Sequence, residues 1–324
     1  MNKRIIFMGT PEFSATILAA LHREGFNVVA CFSQPDKPTG RHMTLTAPPA
    51  KVMAESLGIP VFQPSSLRNQ EALDMIEGLS PDLLVTAAYG KILPEAILSI
   101  PPLGCLNVHA SLLPRYRGAA PIQWAIMNGD AVTGVTLMRM DVGMDTGDMI
   151  SRSEVCIPPS AHYSDLVRSL ADCGAKLLTD TLPRWIRGEI TPEKQDDSLA
   201  TYSPPIRKEQ GNIDWNRSAR SICNQIRALS DWPGAYTYQR GDRIKIYDAI
   251  VPADAEERVV RYRNEHGEAL PGTLIEATKT ELFVACGEGC LQLLSVQPAS
   301  CKKLNVRECA HNFQAGIRFD GAQS

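Results

Sequence analysis

Short apolar runs alternate with stretches of helical spacing through the first part of the chain. The apolar runs predict strands at 3–9, 27–32, 59–62, 82–88, 105–108, 134–140 and 149–157. Apolar residues three and four apart predict helices over 12–24, 69–78 and 163–187. Strands that alternate with helices favour a mostly parallel sheet, and runs that are apolar on both faces fit a sheet covered on each side. We therefore expect an α/β, Rossmann-like domain over residues 1–188.

The pattern changes after residue 188. Residues 189–206 are polar and contain three prolines, which is typical of a linker. A helix is then predicted over 218–229, and after it come short strands separated by turn signals, namely AYTYQ, RIKIYDAIV, TLIEA, ELFVAC and LQLLSVQ. Several short strands at this spacing indicate a small antiparallel barrel. We expect residues 207–324 to form a second domain, an OB-like β-barrel.

The composition is that of an ordinary globular protein, with 44% hydrophobic and 21% charged residues and a net charge of −3. Neither predicted domain is strongly basic, so a nucleic-acid partner would be bound by a local patch. The nine cysteines are scattered, and the short spacing from Cys286 to Cys290 has no matching second pair. No zinc site is therefore predicted, and the thiols are expected to be reduced.

Several classes of protein do not fit the sequence. The first predicted strand ends in GTPE at 9–12, which differs from the G-x-G-x-x-G turn of dinucleotide-binding proteins. The phosphate-binding motif G-x-x-x-x-G-K-[ST] is missing as well. No run reaches the roughly 18 apolar residues of a membrane helix. The apolar run at 5–8 is too short for a signal-peptide core, so we expect a cytoplasmic protein.

Asn107 and His109 lie at the end of a predicted strand. Because they are two residues apart, both side chains point to the same face of the sheet. The carboxyl ends of parallel strands are where open α/β sheets bind ligands. A histidine can transfer a proton near neutral pH, and an asparagine amide can donate a hydrogen bond to a developing oxyanion. The pair alone fits either a catalytic or a structural role.

An acidic loop, DVGMDTGD at 141–148, follows another predicted strand. Its three carboxylates would suit a hard cation, which prefers several oxygen ligands. The spacing is not that of a calcium loop, however, and turn chemistry explains most of the Asp and Gly residues. The residues of the loop therefore leave both a turn and a metal site open.

Longer stretches of the sequence resemble one enzyme family. The run NVHASLLPRYRGAAPIQ at 107–123 is similar to the 10-formyltetrahydrofolate site of the formyltransferases, in which Asn-x-His-x-Ser-Leu-Leu-Pro recurs. Further segments resemble the methionyl-tRNA formyltransferases within that family: FMGTPEF at 7–13, SQPDKPTGR at 33–41, AAYGKILP at 87–94, GDAVTGVT at 129–136, GNIDW at 211–215 and WPGA at 232–235. The resemblance covers nearly the whole chain and both predicted domains.

The resemblance implies transfer of a formyl group from the cosubstrate 10-formyltetrahydrofolate to the amino group of methionyl initiator tRNA, for translation initiation. It places the catalytic residues on Asn107, His109 and Asp145. Asn107 would bind the oxyanion, His109 would donate to that oxygen or take the amine proton, and Asp145 would orient His109. The folate-binding residues that it implies are Tyr89, Gly90, Ser111, Leu112, Leu113 and Pro114. It implies no metal.

The segment 34–50 resembles the insertion that enters the tRNA acceptor end in this family. The cations expected to contact tRNA are Lys37, Arg41, Arg207, Lys208, Lys302 and Lys303. Members of the family usually carry Gly-Lys-Lys after Gly-Arg, whereas this chain has GRHMT at 40–44. We therefore expect this loop to contribute less electrostatic attraction. For each single cation, a solvated surface position is the alternative interpretation.

Two other functions are compatible with parts of the sequence. Trp124 stands where many members have Arg and where some sugar-nucleotide formyltransferases have Trp, which favours a small amine such as an amino-sugar nucleotide as acceptor. The segments GNIDW and WPGA in the second domain favour the tRNA enzyme instead. A non-catalytic tRNA-binding homologue would be expected to lack at least one of Asn107, His109 and Asp145. We expect a monomer.

Overall fold

A computed structural model describes residues 3–39 and 43–320. The chain forms two compact units. The first consists of Met1–Pro121, Val132–Ile157 and Leu166–Pro204, and the second of Ile122–Ala131, Pro158–Asp165 and Pro205–Ser324. Most of the polar segment 189–206 thus belongs to the first unit, and two short segments from the first part of the chain belong to the second.

The strands and helices follow one another along the chain as numbered here. The strands are β1 (Ile5–Gly9), β2 (Val28–Phe32), β3 (Lys37–Thr39), β4 (Thr44–Thr46), β5 (Val61–Phe62), β6 (Leu83–Ala87), β7 (Cys105–His109), β8 (Arg117–Gly118), β9 (Val132–Arg139), β10 (Met149–Cys156), β11 (Tyr202–Ser203), β12 (Ala235–Gln239), β13 (Asp242–Ile250), β14 (Leu274–Ala277), β15 (Leu282–Ala285), β16 (Cys290–Gln297) and β17 (Leu304–Asn305). The α-helices are α1 (Glu12–Arg23), α2 (Pro49–Ser56), α3 (Gln70–Gly78), α4 (Glu95–Leu98), α5 (Pro121–Met127), α6 (Tyr163–Ile186), α7 (Ala219–Ala228), α8 (Ala255–His266) and α9 (Val306–Cys309).

The predicted strands and helices are confirmed, with ends that differ by a few residues. The apolar pattern missed α2 and α8 because each buries only two residues, Ala50 and Ala54 in α2, and Ala255 and Val259 in α8. A helix with so narrow a buried face carries little periodicity. Across the two described stretches of the chain, no helix has both the length and the apolarity to cross a membrane.

The sheet of the first unit has the strand order β10-β9-β7-β6-β1-β2-β5. Neighbours from β7 to β5 are parallel, and the two pairings at the other edge, β7 with β9 and β9 with β10, are antiparallel. The predicted mostly parallel, Rossmann-like sheet is therefore confirmed. This order places the carboxyl ends of β6 and β7 side by side, because Thr86 on β6 pairs with Asn107 on β7.

Close packing fixes the strands that end at this edge. On α6, a Cβ added to Gly174 would lie 3.0 Å from Val108 Cγ1, so the missing side chain lets the helix approach β7 closely. On α1, the buried Ser14 hydroxyl accepts from the Thr10 amide at 3.0 Å and donates to the Ala87 carbonyl at 2.5 Å. The turn after β1 is thereby tied to the end of β6.

The sheet of the second unit is a curled antiparallel half-barrel with the order β12-β13-β16-β15-β14, and β17 pairs with β16. The predicted small OB-like β-barrel is therefore observed as an antiparallel sheet curled into a half-barrel. The last residues that the structure describes pair with both edges, since Asp320 bridges to Tyr238 and Arg318 to Thr273. Phe319 between them is 2% exposed and stacks on Trp215 at 5.9 Å. Residues 317–320 therefore connect the two open edges of the sheet.

Phe319→Ala is expected to lower the free energy of unfolding by about 3–5 kcal/mol, because it removes a fully buried ring from the core of the second unit. The measurement is a urea titration followed by circular dichroism and tryptophan fluorescence. Asp320→Ala is the matched control, since the hydrogen bonds of Asp320 to Tyr238 are made by its backbone. A similar loss in both variants would contradict a specific role for the buried ring.

Candidate active site

Three polar side chains from two segments meet at the carboxyl end of β7. Asn107 and His109 lie on β7, where they pair with Met138 and Thr136 of β9. Asp145 lies in the loop that connects β9 to β10. The structure therefore brings together the three residues predicted to be catalytic, although Asp145 is distant from the other two in sequence.

The orientation of the Asn107 amide is set from both sides. The Thr86 hydroxyl donates to Asn107 Oδ1 at 2.8 Å. Because the amide oxygen is held there, the amide nitrogen faces the other way and donates to Asp145 Oδ1 at 3.4 Å. Asn107 is half-buried. Its hydrogen bond to Asp145 is long, so the N–H group that makes it is only weakly bound.

His109 is 6% exposed, and each ring nitrogen faces an oxygen. Nε2 is 3.0 Å from the Tyr116 carbonyl, which can only accept, so the hydrogen of the neutral ring lies on Nε2. Nδ1 is 3.7 Å from Asp145 Oδ1, which is longer than a hydrogen bond but within ion-pair distance. A proton taken up at Nδ1 would thus lie next to a carboxylate, which suits a group that gains and loses a proton during a reaction.

Both oxygens of the Asp145 carboxylate have partners. Oδ1 is approached by Asn107 and His109, and Oδ2 accepts the Gly118 amide at 2.8 Å. The backbone of Asp145 has φ 54°, in the left-handed region, which costs on the order of 1–2 kcal/mol for a non-glycine residue. The surrounding contacts must hold the loop in this conformation.

The acidic loop itself is explained by turn chemistry. The Asp141 carboxylate accepts the Gly143 amide at 3.0 Å and the Thr146 hydroxyl at 2.7 Å. Within residues 3–39 and 43–320, no group of three or more His, Cys, Asp or Glu side chains is arranged to hold a metal ion. The loop serves instead to present Asp145.

The predicted folate-binding loop after β7 is shaped by β9. The Thr136 hydroxyl donates to the Ser111 carbonyl at 2.7 Å and accepts the Leu113 amide at 3.1 Å. A Cβ on Gly134 would lie 2.5 Å from Leu112 Cδ2, so the glycine leaves space for that leucine. Thr136 and Gly134 were missed by sequence reasoning, although both lie in the GDAVTGVT segment that carried part of the resemblance.

Of these loop residues, Ser111 and Leu113 are buried, whereas Leu112 and Pro114 are partly exposed. The Leu113–Pro114 peptide bond is cis. Leu112 and Pro114 are therefore the side chains of the loop that a ligand can reach.

Tyr89 and Gly90 follow β6 and differ in exposure. The Tyr89 carbonyl accepts from the Thr10 hydroxyl at 2.9 Å and from the Gln34 amide at 3.1 Å, which fixes the backbone here. The Tyr89 ring is 3% exposed and packs in the core of the first unit, whereas Gly90 is exposed with φ 82°. The structure thus places Gly90, rather than the Tyr89 ring, at the surface.

The cations predicted to contact tRNA lie at the surface wherever the structure describes them. Arg41 lies outside the described residues. The exposed ones are Lys37 on β3, Arg207 and Lys208 at the start of a short 3-10 helix, and Lys302 and Lys303 before β17. Of these, Lys303 belongs to a larger cluster, because its Nζ lies 4.7 Å from the centre of the Tyr247 ring.

That cluster is a basic–aromatic face of the second unit, formed by Tyr236, Tyr238, Arg243, Lys245, Tyr247 and Lys303. On β13, Arg243 and Lys245 alternate with the buried Ile244 and Ile246. The Arg243 guanidinium lies 3.7 Å from the centre of the Tyr236 ring. Sequence reasoning missed this face, although the alternation in RIKIY contains the signal.

Comparison with known proteins defines the class. The family model described as Formyl transferase matches residues 3–182, and the model described as Formyl transferase, C-terminal domain, matches residues 205–314. The chain is 45% identical to the methionyl-tRNA formyltransferase of Citrifermentans bemidjiense over 98% of this chain and 94% of that protein. It is 46% identical to that of Caldanaerobacter subterraneus, over 97% and 98%. The chain therefore belongs to the methionyl-tRNA formyltransferase family.

Solved structures share the fold at much lower identity. HypX from Aquifex aeolicus in complex with tetrahydrofolic acid has a TM-score of 0.65 at 15% identity, covering 100% of this chain and 51% of that one. The sugar 3N-formyl transferase WlaRD, solved in the presence of dTDP and 5-N-formyl-THF, also has a TM-score of 0.65, at 18% identity and with 93% and 99% coverage. These likenesses concern the fold.

Tyr89→Phe is expected to leave the protein at least as stable at pH 7, by up to about 1 kcal/mol. The buried Tyr89 hydroxyl has no hydrogen-bond partner among the residues that the structure describes, so its removal relieves an unsatisfied polar group. Burial, together with the nearby Cys31 thiol, raises the pKa of Tyr89 to about 12. An unfolded chain ionises tyrosine near pH 10.

Because the folded-state pKa is the higher one, the unfolded chain releases the Tyr89 proton first. The wild type therefore keeps its full stability below about pH 10 and loses stability as the pH rises toward 12. The stability difference between Tyr89→Phe and the wild type should therefore widen over this range. Urea titrations at pH 7, 10 and 11 measure it. A variant that is clearly less stable at pH 7, or a difference that does not change with pH, would contradict the prediction.

Proposed function

We propose that this protein transfers the formyl group of 10-formyltetrahydrofolate to the free amino group of methionyl initiator tRNA. The observation that carries the proposal is the meeting of Asn107, His109 and Asp145 in a chain that matches methionyl-tRNA formyltransferases over nearly its full length. The intact set also argues against a non-catalytic tRNA-binding homologue.

The reaction moves one acyl group between two nitrogens. The neutral methionyl amine attacks the formyl carbon, a new C–N bond forms, and the carbonyl oxygen becomes an oxyanion. The bond from the formyl carbon to the folate nitrogen then breaks, and the proton lost by the amine ends on that nitrogen. Asn107 is the donor to the oxyanion, because Thr86 holds its amide oxygen and the amide nitrogen faces the Asp145 loop, where it makes only a long hydrogen bond.

His109 handles the proton in this scheme, either by taking it from the attacking amine or by donating to the oxygen. Its Nε2–H is engaged by the Tyr116 carbonyl, so Nδ1 is the nitrogen that gains a proton. The Asp145 carboxylate at 3.7 Å stabilises the imidazolium that results. The buried position of His109 keeps this ion pair out of bulk water, which strengthens it.

Several features of the first unit support folate as the formyl donor. Gly118, with φ 116°, donates its amide to Asp145, and the exposed Gly90 has φ 82°; glycines at such positions let backbone approach a ligand closely. The partly exposed Leu112 and Pro114 offer an apolar wall. The distant structural neighbours HypX and WlaRD were solved with tetrahydrofolic acid and 5-N-formyl-THF, respectively.

The basic–aromatic face of the second unit is the surface that we assign to tRNA. Cations near the sugar-phosphate backbone supply salt-dependent affinity, and the partly exposed Tyr238 and Tyr247 offer aromatic surface for contact. A local patch of this kind is what a chain with a net charge of −3 requires to bind a polyanion. The proposed setting is the cytoplasm, with the protein acting as a monomer.

A small amine is the second candidate acceptor. Trp124 supports this acceptor, and so do structures of similar fold that are sugar N-formyltransferases. The identity of 45–46% to methionyl-tRNA formyltransferases over both units outweighs it.

His109→Ala is expected to lower kcat for formyl-methionyl-tRNA formation by about 10²–10⁴-fold, the usual contribution of a positioned acid–base group. The KM for the folate should change little, because the histidine acts on the proton rather than on binding. The assay incubates the protein with 10-formyltetrahydrofolate and methionyl initiator tRNA and quantifies formylated tRNA.

His22→Ala, on the exposed surface of α1, is the control for a histidine replacement and should keep wild-type activity. Equal losses in the two variants, or an active His109→Ala, would refute the catalytic role. A wild-type protein that leaves tRNA unmodified but formylates an amino-sugar nucleotide would establish the second candidate instead.

The double replacement Lys245→Ala with Lys303→Ala is expected to raise the KM for tRNA and to leave kcat and the folate KM unchanged. If both cations contact phosphates, the slope of log KM against log salt should fall by roughly two. Lys279→Ala, an exposed cation of the same unit outside the face, is the control. An unchanged salt slope in the double variant would show that the face does not bind tRNA.

A further inference from the structure

A polar segment far along the chain, residues 193–203, packs against the loop that follows β7, and we call it the strap. Its end forms β11, which pairs in parallel with β8. The Arg117 amide donates to the Thr201 carbonyl at 2.8 Å, and the Ala119 amide donates to the Ser203 carbonyl at 2.9 Å. The strap thus forms a second layer behind the loop that carries Tyr116 and Gly118.

Gln195 of the strap is 5% exposed and holds the backbone of the Asp145 loop. Its amide nitrogen donates to the Asp145 carbonyl at 2.8 Å and to the Gly147 carbonyl at 2.7 Å. These two bonds fix the loop at Asp145 and two residues beyond it, and the left-handed backbone of Asp145 would otherwise relax. Gln195 therefore acts on the position of Asp145 without touching its carboxylate.

Arg117 sets the orientation of Gln195. The Arg117 guanidinium, 2% exposed, donates to Gln195 Oε1 from Nε at 3.0 Å and from Nη2 at 2.8 Å. Because the oxygen of the amide faces the guanidinium, both of its N–H groups are directed at the two loop carbonyls. All the donors and the acceptor of the Gln195 side chain are used, which makes this contact rigid.

The same strap supports His109 from the other side. The Tyr116 carbonyl, which accepts from His109 Nε2, also accepts from the Ser203 hydroxyl at 3.2 Å. The Tyr116 amide donates to the Thr201 hydroxyl at 2.9 Å. Tyr116 has φ 60°, so its left-handed backbone is held between two strap hydroxyls.

Gly118 joins the two halves of the arrangement. Its amide donates to Asp145 Oδ2, while a Cβ at this position would lie 2.8 Å from the Ser203 carbonyl. The carboxylate and the strap thus approach the same residue from opposite sides. A displacement of the strap would move both the carboxylate and the carbonyl that fix His109.

We propose that Gln195 is a positioning residue for formyl transfer, and that it acts through Asp145. The inference rests on the proposed function, since its effect is on the catalytic step. Residues that orient a catalytic group contribute through geometry, and a misplacement of about 1 Å can cost about 100-fold in rate. The substrates do not need to touch Gln195 for this to hold.

Gln195→Met, which keeps the volume of the side chain and removes its donors, is expected to lower kcat by about 10–100-fold, because it lets Asp145 move from its position. The KM for each substrate should stay within about threefold. In an Asp145→Ala background the same change should have no further effect on kcat, because residues that act as a unit are not additive. Leu199→Ala, at a 62% exposed position of the same strap, is the control and should match the wild type.

Amide hydrogen exchange tests the positioning without any assay of activity. Exchange at the Gly118 amide, which donates to the Asp145 carboxylate, should become faster in Gln195→Met and stay unchanged in Leu199→Ala. Should Gln195→Met fail to fold, Gln195→Glu keeps an acceptor for Arg117 while losing both donors, and the same losses are expected.

The outcomes distinguish the proposed formyl transfer from the positioning role of Gln195. A wild-type protein without formyl transfer would overturn the proposed function, and the exchange data would still decide whether Gln195 holds the loop. An active wild type whose kcat is unaffected by the Gln195 variants would overturn the positioning role. Equal, additive losses in the wild-type and Asp145→Ala backgrounds would show that Gln195 acts on stability rather than through Asp145.

Discussion

The carboxylate of Asp145 is the interaction on which the arrangement of the site depends. One of its oxygens is approached by both Asn107 and His109, and the other receives the Gly118 amide. Two other segments of the chain, β7 and β8, therefore converge on a single charged group. A carboxylate in this position orients the imidazole and fixes the neighbouring loop at once. The contacts of β9 with the loop after β7, and those of the strap with the Asp145 loop, help to keep this carboxylate in place.

The sheet provides the rigid part of this arrangement, and close backbone packing makes it rigid. Gly174 brings α6 against β7, Ser14 ties the turn after β1 to β6, and Gly134 admits the Leu112 side chain beside β9. The left-handed backbones of Tyr116 and Asp145 lie where the sheet gives way to loops. Unfavourable conformations persist there only because hydrogen bonds from several directions hold them. The site thus combines a stiff platform with two loops that depend on their neighbours.

Much of the fold was predictable from the sequence because buried strands leave continuous apolar runs, as in IIFMG and LLVTA. Helix α8 was missed because only Ala255 and Val259 are buried, and a largely solvated helix has little apolar periodicity. Asn107 and His109 were identified from their spacing, whereas Asp145 needed the resemblance to a family. Gln195 was missed for a physical reason: it lies in a polar, proline-containing segment, and hydrogen bonding to distant carbonyls leaves no trace in the local pattern.

The position of the strap in the sequence also determines when the contacts around Asp145 can form during synthesis. Chains are made from the amino end, and domains generally fold as units in that order. Once residue 156 has been made, all seven strands of the first sheet exist. The supports for Tyr116 and Asp145 are still missing, because Gln195, Thr201 and Ser203 come some forty residues later. A nascent chain therefore passes through a stage in which all seven strands exist but the contacts that hold Tyr116 and Asp145 are missing. The proposed catalytic site is complete only when residues 193–203 have been made.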